Sequence, residues 1–144
     1  MKILAPVAAF FICATFYVAY DRSRPVPPLE GFSTDFKTAQ AQALKEKKPL
    51  MVVFSTEWCG YCRKLERETF PDAKVRELGK KFVKVKVDGD KERAIAEQFG
   101  VSGYPTIVFF SPDGKGQPRY LPGYLPPKEF SEVLEMAIQT YGVQ

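Results

Sequence analysis

Apolar residues follow two rhythms along this chain, and the switches between them mark its elements. Leu50-Met51-Val52-Val53-Phe54 is an unbroken apolar run, short enough to be a central strand buried on both faces. Phe82 to Val87 alternates instead, with Val83, Val85 and Val87 on one face and Lys84 and Lys86 on the other, which predicts a strand. Thr106 to Phe110 is a further apolar strand, and Pro112-Asp113-Gly114 is a turn leading to a strand around Arg119 to Leu121. Elsewhere the spacing is helical. Ser33 or Thr34 can cap a helix running to about Lys47, with Phe36, Ala39, Ala43 and Leu44 inward and Pro49 as its stop. A helix starts from about Cys59 and breaks near Pro71, followed by a shorter turn from Asp72 to Leu78. Lys91 to Phe99 reads as helical and ends at Gly100. The last helix opens at Pro126 or Pro127 and sets Phe130, Val133, Leu134, Ala137, Ile138 and Tyr141 on one side. The order α, β, α, β, α, β, β, α places parallel βαβ character first and a closing hairpin after it, an α/β pattern.

The N-terminus keeps neither rhythm. After Lys2, the stretch Ile3 to Tyr20 carries no charge and includes Phe10, Phe11, Ile12, Phe16, Tyr17 and Val18. As a helix it would reach roughly 27 Å, close to the hydrocarbon thickness of a bilayer. A secretory signal needs small residues before its cleavage site, and here bulky Tyr17 or Ile12 would occupy that place. An uncleaved anchor is therefore expected ahead of a cleaved signal peptide. Arg22 and Arg24 flank its far end and Lys2 its near end, so charge leaves the orientation open. Asp21 to Glu30, with Pro25, Pro27 and Pro28, reads as a stiff spacer. The expected organisation is an anchor or signal at 1–20, a Pro-rich linker at 21–30 and one folded domain at 31–144. Either fate of the first segment points to export, where disulfides persist.

Composition narrows the chemistry further. The 144 residues suit a single core, and the net charge of +4 is spread over many Lys and Glu without a long run of one sign. No nucleic-acid partner is expected, and Lys45, Lys47 and Lys48 read as a solvated helix end. There is no histidine, which excludes His general bases, Cys-His dyads and His-ligated metals.

The chemistry resides in Trp58-Cys59-Gly60-Tyr61-Cys62, where an apolar strand gives way to a helix. Two cysteines two residues apart on a first helical turn can open and close a disulfide reversibly. The helix N-terminus carries partial positive charge and free N–H groups, so it favours the thiolate of Cys59, the attacking form in disulfide exchange. The other use of such a pair, half of a zinc site, finds no second half here, because Cys13 lies in the apolar segment. Cys13 itself reads as a passive thiol. No metal and no organic cofactor are expected.

This element order, together with Trp58-Cys59-Gly60-Tyr61-Cys62 and Tyr104-Pro105-Thr106, resembles the thioredoxin family over about residues 31 to 142. The resemblance implies a thioredoxin fold, a central mixed sheet flanked by helices. It also implies Cys59 as nucleophile, Cys62 as resolving thiol and Pro105 as a cis-proline that presents the Tyr104 backbone to an extended substrate. Gly60 lies within the motif, and Trp58 and Tyr61 are either the rim of the cysteine pocket or substrate contacts. Many thioredoxins bury an aspartate six residues before the first cysteine, and here that position is Val53. Lys84 aligns with a lysine that lies near that aspartate, and Glu57 matches the common Glu-Trp-Cys form as a surface residue. Glu66 follows Cys62 by four residues, which sets it on the same helix face. It is either a buried base for the Cys62 proton or an exposed partner of Arg63 or Arg67.

Arg63-Lys-Leu-Glu-Arg-Glu-Thr-Phe70 after the motif, and Gly123-Tyr124-Leu125-Pro126-Pro127 before the last helix, are more similar to exported thioredoxin-like proteins. They also resemble the C-terminal domain of the transmembrane thiol:disulfide interchange reductase, which shares the Glu66 placement. The resemblance implies a monomeric thiol:disulfide oxidoreductase of the bacterial periplasm, anchored to the inner membrane or secreted after cleavage. It would reduce protein disulfides with electrons from an upstream membrane donor. The alternatives are an oxidase or isomerase, and a non-catalytic binding module.

Overall fold

The structure, a computed structural model, describes Thr15, Tyr20 and residues 30–142. The expected anchor, most of the Pro-rich linker and Cys13 lie outside the described residues. Among the described residues no helix is long and apolar enough to cross a membrane.

Two strands with continuous apolar sequence form the middle of the fold. β2 (Leu50–Ser55) is buried along its whole length and pairs with β3 (Val83–Asp88) in parallel and β4 (Thr106–Phe110) antiparallel. A short β1 (Phe32–Ser33) runs parallel to β3, and β5 (Arg119–Pro122) runs antiparallel to β4. The described residues thus form a mixed five-stranded sheet in the order β1-β3-β2-β4-β5. This is the α/β architecture read from the sequence, with β1 as an addition. Two residues carry too little periodicity to announce a strand.

Side-chain alternation splits the core into two layers. Leu50, Val52, Phe54, Val85 and Val87 meet Ala39 and Ala43 of α1 (Phe36–Glu46) and Ala96 of α4 (Arg93–Gln98). Met51, Val53, Ile107 and Phe109 face the other way. They pack under Leu65 and Phe70, Val75 of α3 (Ala73–Gly79), and Phe130 and Leu134 of α5 (Pro127–Tyr141). α2 (Gly60–Lys64) follows β2 and continues as a π-helical turn over Leu65–Thr69, where the Phe70 N–H reaches back to the Leu65 carbonyl at 3.0 Å. Such turns often mark functional sites. This one keeps Cys62, Leu65, Glu66 and Thr69 all on the buried side.

Two boundaries and one side-chain orientation differ from the sequence expectation. α1 is capped by Asp35, whose carboxylate accepts the Thr38 N–H at 2.6 Å, whereas Ser33 is taken into β1 and bonds the Asp35 backbone. Leu44 points outward at 61% exposure. Ala39 and Ala43 set the buried stripe of α1, and Leu44 is turned about 100° from Ala43. α4 is shorter than Lys91 to Phe99, because the Lys91 N–H and ammonium are held by Asp88 at the end of β3.

Leu134→Ala is expected to cost about 3 kcal/mol in urea unfolding, whereas Leu44→Ala should change stability by less than about 0.5 kcal/mol. A large loss at Leu44 would mean that α1 packs with a different face.

Candidate active site

β2 is held on both edges and both faces, so the chain leaves it at a fixed place. Ser55 and Thr56 lead into a turn in which the Cys59 N–H bonds the Thr56 carbonyl at 3.3 Å. Cys59 then takes the N-cap position of α2 with extended dihedrals, φ −75° and ψ 109°. Its sulfur does what an Asp or Ser oxygen does at other helix starts: the Cys62 N–H points at it from 3.1 Å. Cys59 and Cys62 form a disulfide with a Cα–Cα distance of 5.3 Å, and both residues are buried. When the bond opens, the same N–H and the helix dipole act on the Cys59 thiolate.

β4 delivers the facing element. Thr106 is paired with Phe54, so the Tyr104–Pro105 peptide, which is cis, lies beside the end of β2 from which the cysteine loop departs. Trp58 is 67% exposed, and its ring meets the Tyr104 ring edge-on at 6.0 Å. The Trp58 indole N–H donates to Asp90 at 2.8 Å. Lys91 joins Glu57 at 2.7 Å and Asp88 at 3.2 Å, so the loop after β3 is tied to the cysteine loop. Gly89 is required under the Tyr104 ring: a Cβ there would lie 2.0 Å from the phenolic oxygen.

On the opposite side of the motif Tyr61, 64% exposed, has the Tyr124 ring 6.2 Å away. Tyr124 donates to Glu68 at 2.9 Å and lies under the Lys64 ammonium. Burial and then the Glu68 carboxylate push its phenol above the usual tyrosine range. The neighbouring Gly123 N–H bonds the Pro105 carbonyl at 2.8 Å, and Gly123 holds φ +86°, a conformation natural to glycine. Trp58, Tyr61, Tyr104 and Pro105 are thereby brought to one end of the sheet, with Gly60 exposed between the cysteines. Asp90 and Tyr124 join them, and sequence reasoning missed both. The motif beginning at Gly123 was the available signal for Tyr124, but nothing local shows that it stacks near Tyr61.

Glu66 is buried at 5% exposure, on the same inward face of the helical segment as Cys62. Its ion-pair partner is Lys86 of β3, at 2.5 Å. Arg63 instead donates to the Glu57 carbonyl at 2.6 Å. The parallel register sets Lys86 directly beside Val53, so a lysine stem covers the place where the aspartate is missing. Lys84, which the resemblance suggested for that neighbourhood, lies two residues further along, beside Met51. It donates to the Glu30 carbonyl at 3.1 Å and stands 5.1 Å from the Phe32 ring. Among the described residues no cluster of His, Cys, Asp and Glu could hold a metal ion.

The thioredoxin-like domain family matches residues 36–138. Protein disulfide-isomerase erp38 of Neurospora crassa is 44% identical over 75 residues, which cover 51% of this chain and 20% of that protein. The chain therefore corresponds to about a fifth of that relative. A thioredoxin from Thermus thermophilus superposes with a TM-score of 0.67 at 28% identity, covering 78% of this chain and 90% of that one. The reduced C-terminal domain of Neisseria meningitidis DsbD gives a TM-score of 0.59 at 25% identity, covering 70% and 92%.

Gly89→Ala is expected to drive the Tyr104 ring off its seat and release Trp58. The readouts are a shift in tryptophan emission and a cost of about 1–3 kcal/mol in unfolding. Unchanged emission would show that the Trp58–Tyr104 contact does not depend on the missing Cβ.

Proposed function

The chain belongs to the thioredoxin-like family, and from that membership we propose that it is a thiol:disulfide oxidoreductase that reduces protein disulfides outside the cytoplasm. One observation carries the reading. The Cys59–Cys62 disulfide caps a helix start beside an aromatic rim and the Tyr104–Pro105 turn.

The reduced enzyme begins with a Cys59 thiolate, held by the Cys62 N–H and the helix dipole. It attacks one sulfur of a partner disulfide, the other partner sulfur leaves as a thiolate, and a mixed disulfide remains. Trp58, Tyr61, Tyr104 and Pro105 hold the partner chain as an extended segment against the Tyr104 backbone. Cys62 then gives its proton to Glu66 and attacks the Cys59 sulfur. The second partner thiolate leaves and the Cys59–Cys62 disulfide closes. The partner gains two electrons, so an upstream membrane dithiol donor must restore the enzyme. Val53 cannot act as a base, whereas Glu66 is a buried carboxylate on the helix of Cys62, held in place by Lys86. The cycle uses no metal or organic cofactor.

The charge-free stretch Ile3 to Tyr20 supports an anchor or signal at 1–20, a linker at 21–30 and a periplasmic domain at 31–144, working as a monomer. The resemblance to the reducing branch of the family, in a chain without the histidine typical of its strong oxidants, supports the reducing direction. The similarity to a protein disulfide-isomerase supports a second reading, in which the same steps run backwards and the chain donates or reshuffles disulfides.

Cys62→Ala is expected to accumulate mixed disulfides through Cys59, and Cys59→Ser to abolish both trapping and turnover. Full activity in the Cys59→Ser, Cys62→Ser double variant would instead establish a non-catalytic binding module. Glu66→Gln should slow resolution of the mixed disulfide at least about tenfold. An unchanged rate from about pH 6 to about pH 9 would remove Glu66 from the mechanism.

A further inference from the structure

The alternation of β3 that sends Val83, Val85 and Val87 into one core layer sends both of its lysines to the other face. Lys86 is used by Glu66. Lys84 instead reaches a cavity of about 480 Å³ between β1, α3 and the end of the π-helical turn. That is ample for a small organic ligand. The walls are apolar (Phe32, Met51, Phe70, Phe130 and Leu134), and Glu66 forms part of the lining.

The charges are arranged unequally. At the edge of the cavity Arg76 and Glu30 satisfy one another at 2.6 Å, and Lys80 is bound to Glu77 at 2.6 Å. The Lys84 ammonium makes no ion pair among the described residues. It has the Glu30 carbonyl oxygen and the face of Phe32. Gly31 keeps the approach to it open, since a Cβ there would stand 3.3 Å from Nζ. Half-burial pushes Lys84 below the usual lysine range, with the Arg76 charge adding to this against the pull of Glu30. An anion beside it would recover part of what burial costs.

We propose that this cavity is a binding site for a small organic carboxylate with an aromatic or short aliphatic body, its headgroup on Lys84 and its body against Phe32 and Phe70. Neither the disulfide nor the aromatic rim takes part, so this is a second site on the domain. Because Glu66 is a wall of the cavity, an occupant also shuts water away from the carboxylate that serves Cys62. That coupling rests on the role proposed for Glu66 above.

The test titrates the 15N-labelled full chain with 4-phenylbutyrate and with 4-phenylbutanol. The expected result is saturable shifts at Gly31, Phe32, Val75, Gly79 and Lys84 with the carboxylate. Binding should be weaker by about tenfold for the alcohol, and by a similar factor in Lys84→Gln. No saturation below about 10 mM, equal binding of the alcohol, or shifts confined to the Cys59 and Tyr104 rim would overturn the site. The alcohol comparison uses the unmodified chain, so it stands if Lys84→Gln does not fold. Saturating carboxylate should then slow mixed-disulfide resolution severalfold. Binding without that slowing leaves the site in place and overturns its coupling to Glu66.

Discussion

A sulfur atom occupies the position where a helix needs an acceptor, and the rest of the site is arranged around that substitution. Cys59 caps α2 through its side chain, with the Cys62 N–H at 3.1 Å. A neutral cap would stabilise the helix and do nothing more. A cap that can be a thiolate gains from the N–H and the helix dipole, so the stability of the helix start and the reactivity of the cysteine have the same origin. This requires an immobile point of departure. β2 supplies it, buried along all of its length and paired on both edges. The same pairing with β4 sets Tyr104 and Pro105 beside the cysteine loop. Fold and chemistry are therefore joined through one strand.

In the proposed cycle Glu66 takes the proton, in place of the aspartate that many thioredoxins bury at the position of Val53. With Val53 in the aspartate's place, the layer beneath the cysteines would be entirely apolar. Glu66 enters that layer from the helix, and Lys86 meets it from the neighbouring strand at 2.5 Å. A carboxylate buried without a partner would be too costly to keep ionised. Lys86 reaches inward with its ammonium while a third of its side chain stays exposed, so it brings the compensating charge without full desolvation. The same carboxylate forms part of a cavity that opens toward Lys84. The cavity and the helical segment that continues from Cys62 thus share one residue.

Strands that are buried on both faces announce themselves as unbroken apolar runs, which is why β2 and β4 can be read directly, and the alternation of Val83, Val85 and Val87 does the same for β3. The cysteine motif and Tyr104-Pro105 are legible because their spacing and neighbours are specific. What stays hidden depends on contacts between distant segments. Ser33 and Thr34 are as good cap residues as Asp35, and only the short pairing of β1 with β3 removes Ser33 from the choice. Leu44 has the composition of a core residue, yet two alanines define the inward stripe because the helix lies close to the sheet. The choice between Lys84 and Lys86 is a matter of register across two strands, invisible along either one. Asp90 and Tyr124 belong to loops that reach the rim only when the fold is complete.

The reduction potential of the Cys59/Cys62 pair, measured by equilibrating the full chain in defined thiol buffers, addresses the reducing assignment most directly. A value near the thioredoxin end, about −270 mV, is what a reductase supplied by an upstream dithiol requires. A value near about −120 mV would contradict it and make the chain a disulfide donor.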